Sequence, residues 1–323
     1  MIPAALAVRR AFCYNNRGFV MNMENLEKIC ALCPGVSVQR HVGMDKYTTL
    51  RVGGPADAMA EPENEADLCA LLSAAEETGT PVLLMGNGSN LLVRDGGIRG
   101  LVIRLGKNFS AIEDRPDGLY AQAGALLSAL SRAALDRSLT GLEFAQGIPG
   151  TVGGGVYMNA GAYGGELGRL IVSARVWDCA AIREIPGEDM AFAYRSSLAM
   201  EKGWTVLGAR FRLEKGDPAA ISALMRELAA RRKDKQPLEY PSAGSFFKRP
   251  TGHFAGALIE QAGLKGLTSG GAQVSEKHAG FLINVGGATA GDFLTLMAQV
   301  QSAVWEKFGV NLEPEVRIVG EDA

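Results

Sequence analysis

Gly147-Ile-Pro-Gly-Thr-Val-Gly-Gly-Gly155, followed by Asn159-Ala-Gly-Ala-Tyr-Gly-Gly-Glu166, places eight glycines between positions 147 and 165. Glycine loses the most conformational freedom on folding, so a run this dense costs stability that a function must justify. Its use is where a ligand approaches the main chain closely and exposed N–H groups form a concave anion site. A second glycine loop, Gly86-Asn-Gly-Ser-Asn90, lies about sixty residues upstream, and each loop follows an apolar stretch. Two such loops point to one large phosphate-bearing ligand held between them.

The upstream loop matches neither common nucleotide fingerprint. A G-x-G-x-x-G motif needs glycine where Leu91 stands, and a P-loop needs Gly-Lys-Ser/Thr, whereas Gly88-Ser-Asn90 carries no lysine. What remains is a strand, Pro81-Val-Leu-Leu-Met85, entering a tight turn whose Ser89 and Asn90 add side-chain hydrogen bonds to those of the backbone. Taken alone, this loop reads equally well as an ordinary strand-to-loop turn.

Periodicity organises the rest. Glu65 to Glu77 reads as a helix with Leu68, Leu71 and Leu72 on one face, leading into the strand at 81–85 and another at Leu101-Val-Ile-Arg-Leu105. Ala125 to Ser138 reads as a helix, Val172 to Asp178 alternates as a strand, and so do Leu207, Ala209, Phe211 and Leu213. The loop at 147–155 belongs to this second α+β unit. A helix from Ala219 to about Arg232 directs Ile221, Leu224, Met225 and Leu228 inward, and another from Asp292 to Phe308 is ended by Gly309. These stripes read as core. The expected division is 1–20 as a disordered extension, 21–105, 106–217 and 218–323, with Met1, Met21 or Met23 as the start.

Composition bounds the function. With 323 residues and 47% hydrophobic content the chain can bury two or three cores. A net charge of −2 gives no reason to expect nucleic acid or an anionic membrane as partner. No apolar run approaches the roughly 18 residues of a membrane span. The cysteines at 13, 30, 33, 69 and 179 are odd in number and follow no framework, which points to reduced thiols in the cytoplasm. Cys30-Ala-Leu-Cys33, with His41 nearby, has the spacing of half a zinc site; lacking a second pair, and with Leu26 to Leu32 reading as a short amphipathic helix, it reads as no metal site.

Seven ordered blocks carry a family resemblance: Thr49-Leu-Arg-Val-Gly-Gly-Pro-Ala56, Gly86-Asn-Gly-Ser-Asn90, Gly147-Ile-Pro-Gly-Thr-Val-Gly-Gly154, Asn159-Ala-Gly-Ala-Tyr-Gly-Gly-Glu166, Ala193-Tyr-Arg-Ser-Ser197, Gly244-Ser-Phe-Phe-Lys248 and Leu312-Glu-Pro-Glu-Val-Arg317. Together, from about Tyr47 to Gly320, they resemble the UDP-N-acetylenolpyruvoylglucosamine reductases. The resemblance implies an α+β protein with a two-subdomain FAD-binding fold of the vanillyl-alcohol-oxidase-like type and a C-terminal α+β substrate-binding domain. It implies reduction of UDP-N-acetylglucosamine enolpyruvate to UDP-N-acetylmuramate in peptidoglycan precursor synthesis, with FAD as cofactor and NADPH as hydride donor. FAD contacts then fall on Arg51, on Gly86, Asn87, Gly88, Ser89, Asn90 and Leu91, on Gly147, Ile148, Pro149, Gly150, Val152, Gly153 and Gly154, and on Gly161 and Ala162. No histidine sits in a Cys or His cluster that would attach the flavin, so FAD is expected to be noncovalent, and the protein a cytoplasmic monomer.

The chemistry asks for specific groups. Negative charge builds beside the substrate carboxylate as the enolpyruvyl ether accepts a hydride. A guanidinium is permanently charged and meets a carboxylate bidentately, and Arg195 matches the family's catalytic arginine. Ser245 matches the proton donor, a weak acid that works only against a strongly basic enolate, and Glu315 matches the third catalytic member. Lys235, Tyr194 and His278 match substrate-binding positions. Lys235, with Arg232 and Lys233, reads equally as a solvated basic helix end, and His278 as an ordinary polar side chain near a loop.

Longer relatives insert a tyrosine-bearing loop between the second and third domains. Here Leu213-Glu-Lys-Gly-Asp217 runs straight into the Ala219 helix, the pattern of a shorter class. With no Rossmann fingerprint, donor and acceptor are expected to use one cleft in turn, a ping-pong scheme. Two other readings stay open: an FAD-dependent oxidase or dehydrogenase of the same fold acting on an alcohol or hydroxy acid, and a nonenzymatic flavin- or nucleotide-sugar-binding module.

Overall fold

The computed structural model describes residues 23–323, apart from the side chain of Met23. The expected disorder of 1–20 and the alternative starts at Met1 and Met21 lie outside the described residues. The chain divides into two compact units, each assembled from separate stretches: residues up to Gln39, Ala58–Gly86 and Gly100–Leu228 form the first, and Arg40–Asp57, Asn87–Arg99 and Ala229–Ala323 the second.

In the first unit the helix Glu65–Glu77 begins where Asn64 accepts the amide of Asp67, and it buries Leu68, Leu71, Leu72, Ala74 and Ala75. Each fully buried leucine contributes roughly 2 kcal/mol of apolar transfer. These side chains join Val82, Leu101, Ile103 and Phe109 in one core. Strand Val82–Met85 runs parallel to Ile98–Arg104 over the register Val82–Met85 to Leu101–Arg104.

A five-stranded sheet carries the unit's second core. Its order is Ile182–Pro186, Ile171–Trp177, Thr205–Arg212, Gly118–Gln122 and Ile112–Arg115, every neighbour antiparallel. Leu119, Ala121, Ala174, Val176, Ala209 and Phe211 pack from it onto the helix Leu127–Asp136 and onto Val152 and Val156.

The second unit is built on a four-stranded antiparallel sheet in the order Ser242–Ser245, Phe281–Asn284, Ala272–Val274, Thr268–Ser269. The helix Ala290–Phe308 buries Phe293, Leu296, Val300 and Val304, is started by a Thr289/Asp292 capping box, and ends where Gly309 turns left-handed at φ 65°. A parallel pair, Leu91–Val93 with Arg317–Val319, completes the unit.

Two readings need correction. The glycine segment is a loop only as far as Thr151, because Val152–Tyr157 is helical. Gly153 and Gly155 tolerate the helix because it packs too closely for side chains: an added β-carbon would come within 2.8 Å of Ala123 Cβ at Gly153, and of Leu167 Cδ1 at Gly155. The helix Pro218–Lys235 buries Ile221 and Met225, but Leu224 is 42% exposed, so its apolar stripe is narrower than its spacing predicts.

Candidate active site

The first unit presents Tyr194 and Arg195 at the tip of a tight two-residue turn. Ala193 and Ser196 exchange backbone hydrogen bonds at 3.1 and 3.2 Å, and Arg195 is held at φ 54°, where a side chain pays about 1–2 kcal/mol. The guanidinium lies over the Tyr194 ring, 5.1 Å from its centroid, and Arg195 Nη2 donates to Gly161 O at 3.5 Å. Gly161–Ala162 and Gly165–Glu166 are the two arms of a small hairpin turned at Tyr163 and Gly164, both with positive φ. Buried Asn159 ties hairpin to turn, its Nδ2 donating to Glu166 Oε2 at 2.9 Å and to Ala193 O at 3.0 Å.

Gly86, which opens the upstream glycine loop, meets the second glycine segment within this unit. A β-carbon at Gly86, just past strand Val82–Met85, would overlap the Thr151 hydroxyl, so glycine lets the end of that strand and the start of the helix Val152–Tyr157 come together. The amides of Val152 and Gly153 are occupied by Ala125 O and Ala123 O, each at 2.8 Å. Those of Gly150 and Thr151 meet no protein acceptor among the described residues.

The second unit gathers most of the remaining candidates. Ser245 ends strand Ser242–Ser245, where the register with Phe281–Asn284 shifts and Gly244 takes φ 76°, a bulge that re-aims the side chain and leaves Ser245 exposed. The next residue, Phe246, accepts the amide of Glu315 at 2.9 Å and donates to Gly280 O at 2.9 Å. Asn90 Nδ2 donates to Glu315 O at 3.1 Å, and Asn90 O accepts from Arg317 N at 3.0 Å. Asn90, Ser245 and Glu315 therefore sit on adjoining backbone. Thr49 adds a brace, its amide donating to Gly88 O and its hydroxyl to Ser242 O at 2.7 Å, while Gly88 itself takes φ 60°.

His278 belongs to the turn that reaches Phe246 through Gly280. Its Nδ1 accepts from Gly280 N at 3.1 Å and its ring packs edge-on against Phe281, 4.9 Å between centroids. Burial holds its pKa below the ordinary histidine value, against the opposing pull of its own main chain and of Glu260. A neutral ring accepting at Nδ1 carries its proton on Nε2 and presents a donor there. The neighbouring Lys277 Nζ donates to Lys233 O at 2.7 Å, which joins this turn to the helix end that bears exposed Lys235. Arg51, at φ 55°, follows Leu50, whose carbonyl accepts from buried Asn284 Nδ2 at 3.1 Å.

Thr49, Asn159 and Asn284 were not singled out by sequence reasoning. Thr49 and Asn159 lie inside quoted blocks, but nothing in a sequence marks which member of a block bonds across to another. Among the described residues no three His, Cys, Asp or Glu side chains are grouped to hold a metal ion, and no helix is long and apolar enough to cross a membrane.

Comparison with known proteins fits this arrangement. Residues 56–181 match a family model described as an FAD binding domain, and residues 236–319 match one described as the UDP-N-acetylenolpyruvoylglucosamine reductase C-terminal domain. The UDP-N-acetylenolpyruvoylglucosamine reductase of Clostridioides difficile is 51% identical over 280 residues, 86% of this chain and 92% of that protein. That of Latilactobacillus sakei is 52% identical over 286 residues, 88% of this chain and 94% of the relative. The crystal structure of the Thermus caldophilus enzyme superposes with a TM-score of 0.76 at 37% identity, covering 88% of this chain and 99% of that one. The chain belongs to the UDP-N-acetylenolpyruvoylglucosamine reductase family.

Proposed function

We propose that this chain reduces UDP-N-acetylglucosamine enolpyruvate to UDP-N-acetylmuramate with FAD and NADPH, a step of peptidoglycan precursor synthesis, and that Arg195, Ser245 and Glu315 do its chemistry. FAD, when bound, supplies the hydride that it receives from NADPH. The glycine segments fit its pyrophosphate: the amides of Gly150 and Thr151 are open among the described residues, and a β-carbon at Gly154 would meet nothing nearer than Thr151 Oγ1 at 3.9 Å. Arg51, Gly86 to Leu91, Gly147 to Gly150, Val152 to Gly154, Gly161 and Ala162 would hold the cofactor without a covalent bond.

The observation that carries the reading is the backbone junction of Asn90, Phe246 and Glu315, which joins a cofactor-loop residue to the neighbour of Ser245 and to Glu315. Arg195 pairs with the substrate carboxylate and stabilises the enolate. Ser245 Oγ gives the proton that quenches the carbon, and Glu315 polarises the carboxylate. Tyr194, Lys235 and the Nε2–H of His278 bind substrate. The parts are divided as 21–105 and 106–217 for the flavin and 218–323 for the substrate, in a cytoplasmic monomer of the shorter class.

The visible spectrum tests this. A yellow protein bleached by NADPH, its colour restored anaerobically by the enolpyruvyl nucleotide, is the expected result. Rapid recolouring in air without that nucleotide would instead mark an oxidase.

A further inference from the structure

The turn that carries Arg195 is bolted at both ends to one short stretch of chain. At its start Ala193 O accepts from Asn159 Nδ2 at 3.0 Å, and just after it Ser197 Oγ donates to Tyr157 O at 2.7 Å. Both anchoring side chains are buried, Asn159 at 3% and Ser197 at 1% exposure. Asn159 is fixed in turn, accepting from Gly168 N at 2.8 Å and donating to Glu166 Oε2 at 2.9 Å, and it sits at φ 45°, where asparagine is among the few non-glycine residues at ease. Between the bolts Arg195 occupies a left-handed conformation that a free turn would leave, so something must hold it there.

We propose that Asn159, seconded by Ser197, is a positioning residue for the reaction: its Nδ2–H bond to Ala193 O sets the aim of the Arg195 guanidinium and so acts only in the half of the cycle where the substrate is reduced. This rests on the reading of Arg195 given above. Misplacing a charged group by about an ångström costs on the order of 100-fold in rate, so the loss of one anchoring bond falls on kcat for substrate and not on cofactor retention.

The test is a double-mutant cycle on the FAD-loaded protein. Asn159→Ala and Arg195→Lys are made singly and together, and NADPH reduction and anaerobic reoxidation by the enolpyruvyl nucleotide are followed by stopped-flow absorbance. Asn159→Ala is expected to slow reoxidation about 10- to 100-fold beside Arg195 and by less than about threefold beside Lys at 195, with NADPH reduction unchanged. Equal slowing in both backgrounds, or in both half-reactions, would overturn the proposal. If Arg195→Lys alone leaves reoxidation untouched, the role of Arg195 itself falls, which separates the two failures. Should Asn159→Ala not fold, Asn159→Asp with Glu166→Gln keeps the bond between 159 and 166, the acceptor for Gly168 and an acceptor for Arg169, while a carboxylate oxygen replaces the donor to Ala193 O and the ion pair with Arg169 becomes a neutral-acceptor bond. That pair must show the same selective slowing, and wild-type reoxidation by it would equally refute the assignment.

Discussion

The main-chain carbonyl of Phe246 accepts the amide of Glu315 at 2.9 Å. Around that bond, Phe247 bridges Pro314 in antiparallel fashion and Lys248 N donates to Glu313 O at 2.8 Å, so two segments about 70 residues apart in sequence lie one strand spacing from each other. Neighbouring strands are roughly 4.8 Å apart. The backbone of Ser245 is therefore held beside that of Glu315, and the register shift at Gly244 re-aims the serine side chain.

Neighbouring glycines of the helix Val152–Tyr157 should separate by role. Gly153→Ala drives a methyl against Ala123 Cβ, 2.8 Å from where it would sit, and is expected to cost about 1–3 kcal/mol, lowering Tm by several degrees with or without FAD. Gly154→Ala meets open space, so Tm of the apoprotein should stay put while the Kd for FAD rises. Differential scanning of the apoproteins with flavin titration decides it, and the idea fails if Gly154→Ala destabilises the apoprotein as much as Gly153→Ala.

Arg195→Lys keeps a cation and loses the planar two-point fork. Flavin reoxidation by the substrate is expected to slow by on the order of 100- to 1,000-fold, the usual effect of removing one charge-stabilising donor, with NADPH reduction little changed. Equal loss in both half-reactions would point to general electrostatics or folding.

How much was legible follows from the range of each signal. Periodicity is local, so the helix Glu65–Glu77 and the ending of Ala290–Phe308 at Gly309 could be read directly, whereas its Thr289 cap was not. The glycine-rich segment misled because a glycine serving close packing and a glycine serving a ligand look identical in sequence; only Ala123 and Leu167, brought in by tertiary structure, show that Gly153 and Gly155 answer to packing. Leu224 shows the same limit, because a helix's apolar spacing does not say how wide a face the neighbours will cover. Apart from Leu91, Lys235 and His278 the candidate residues were found as members of blocks, but their supports were not, since Asn159 to Ala193 spans 34 residues and Thr49 to Ser242 spans 193. Nor can a sequence foretell that the compact units are discontinuous, because the crossings at 39/40, 57/58, 86/87, 99/100 and 228/229 are set by long-range contacts that no local signal records.

His278 gives the stability a pH dependence of definite sign. Its folded pKa is held down first by burial, so the folded protein takes up the proton less readily than the unfolded chain. The neutral-ring contribution is complete above the ordinary histidine value of about 6.5 and is lost as pH falls from there through the lower folded value. Urea melts between about pH 7 and 5 should show stability declining with acidity, and His278→Gln should flatten that part of the slope. An unchanged slope in the variant would show that another group is responsible.

Ser245 offers the sharpest test, because a proton donor is needed in only one half of the cycle. NADPH reduction of the flavin requires nothing from the hydroxyl, whereas the substrate carbon must be protonated before product forms. Ser245→Ala is therefore expected to bleach with NADPH at close to the parent rate and then to stall when the enolpyruvyl nucleotide is added anaerobically. Ser245→Cys keeps an ionisable proton on a side chain of similar size and should recover part of that second step. Because Ser245 is exposed at the end of its strand and its backbone geometry is set by Gly244, neither change should shift Tm appreciably, so a stall reports chemistry and not folding. If the alanine variant reoxidises with substrate as fast as the parent, Ser245 is only the residue after a bulge, and the donor is to be sought in Glu315, whose amide is anchored to the carbonyl of Phe246, or in a bound water.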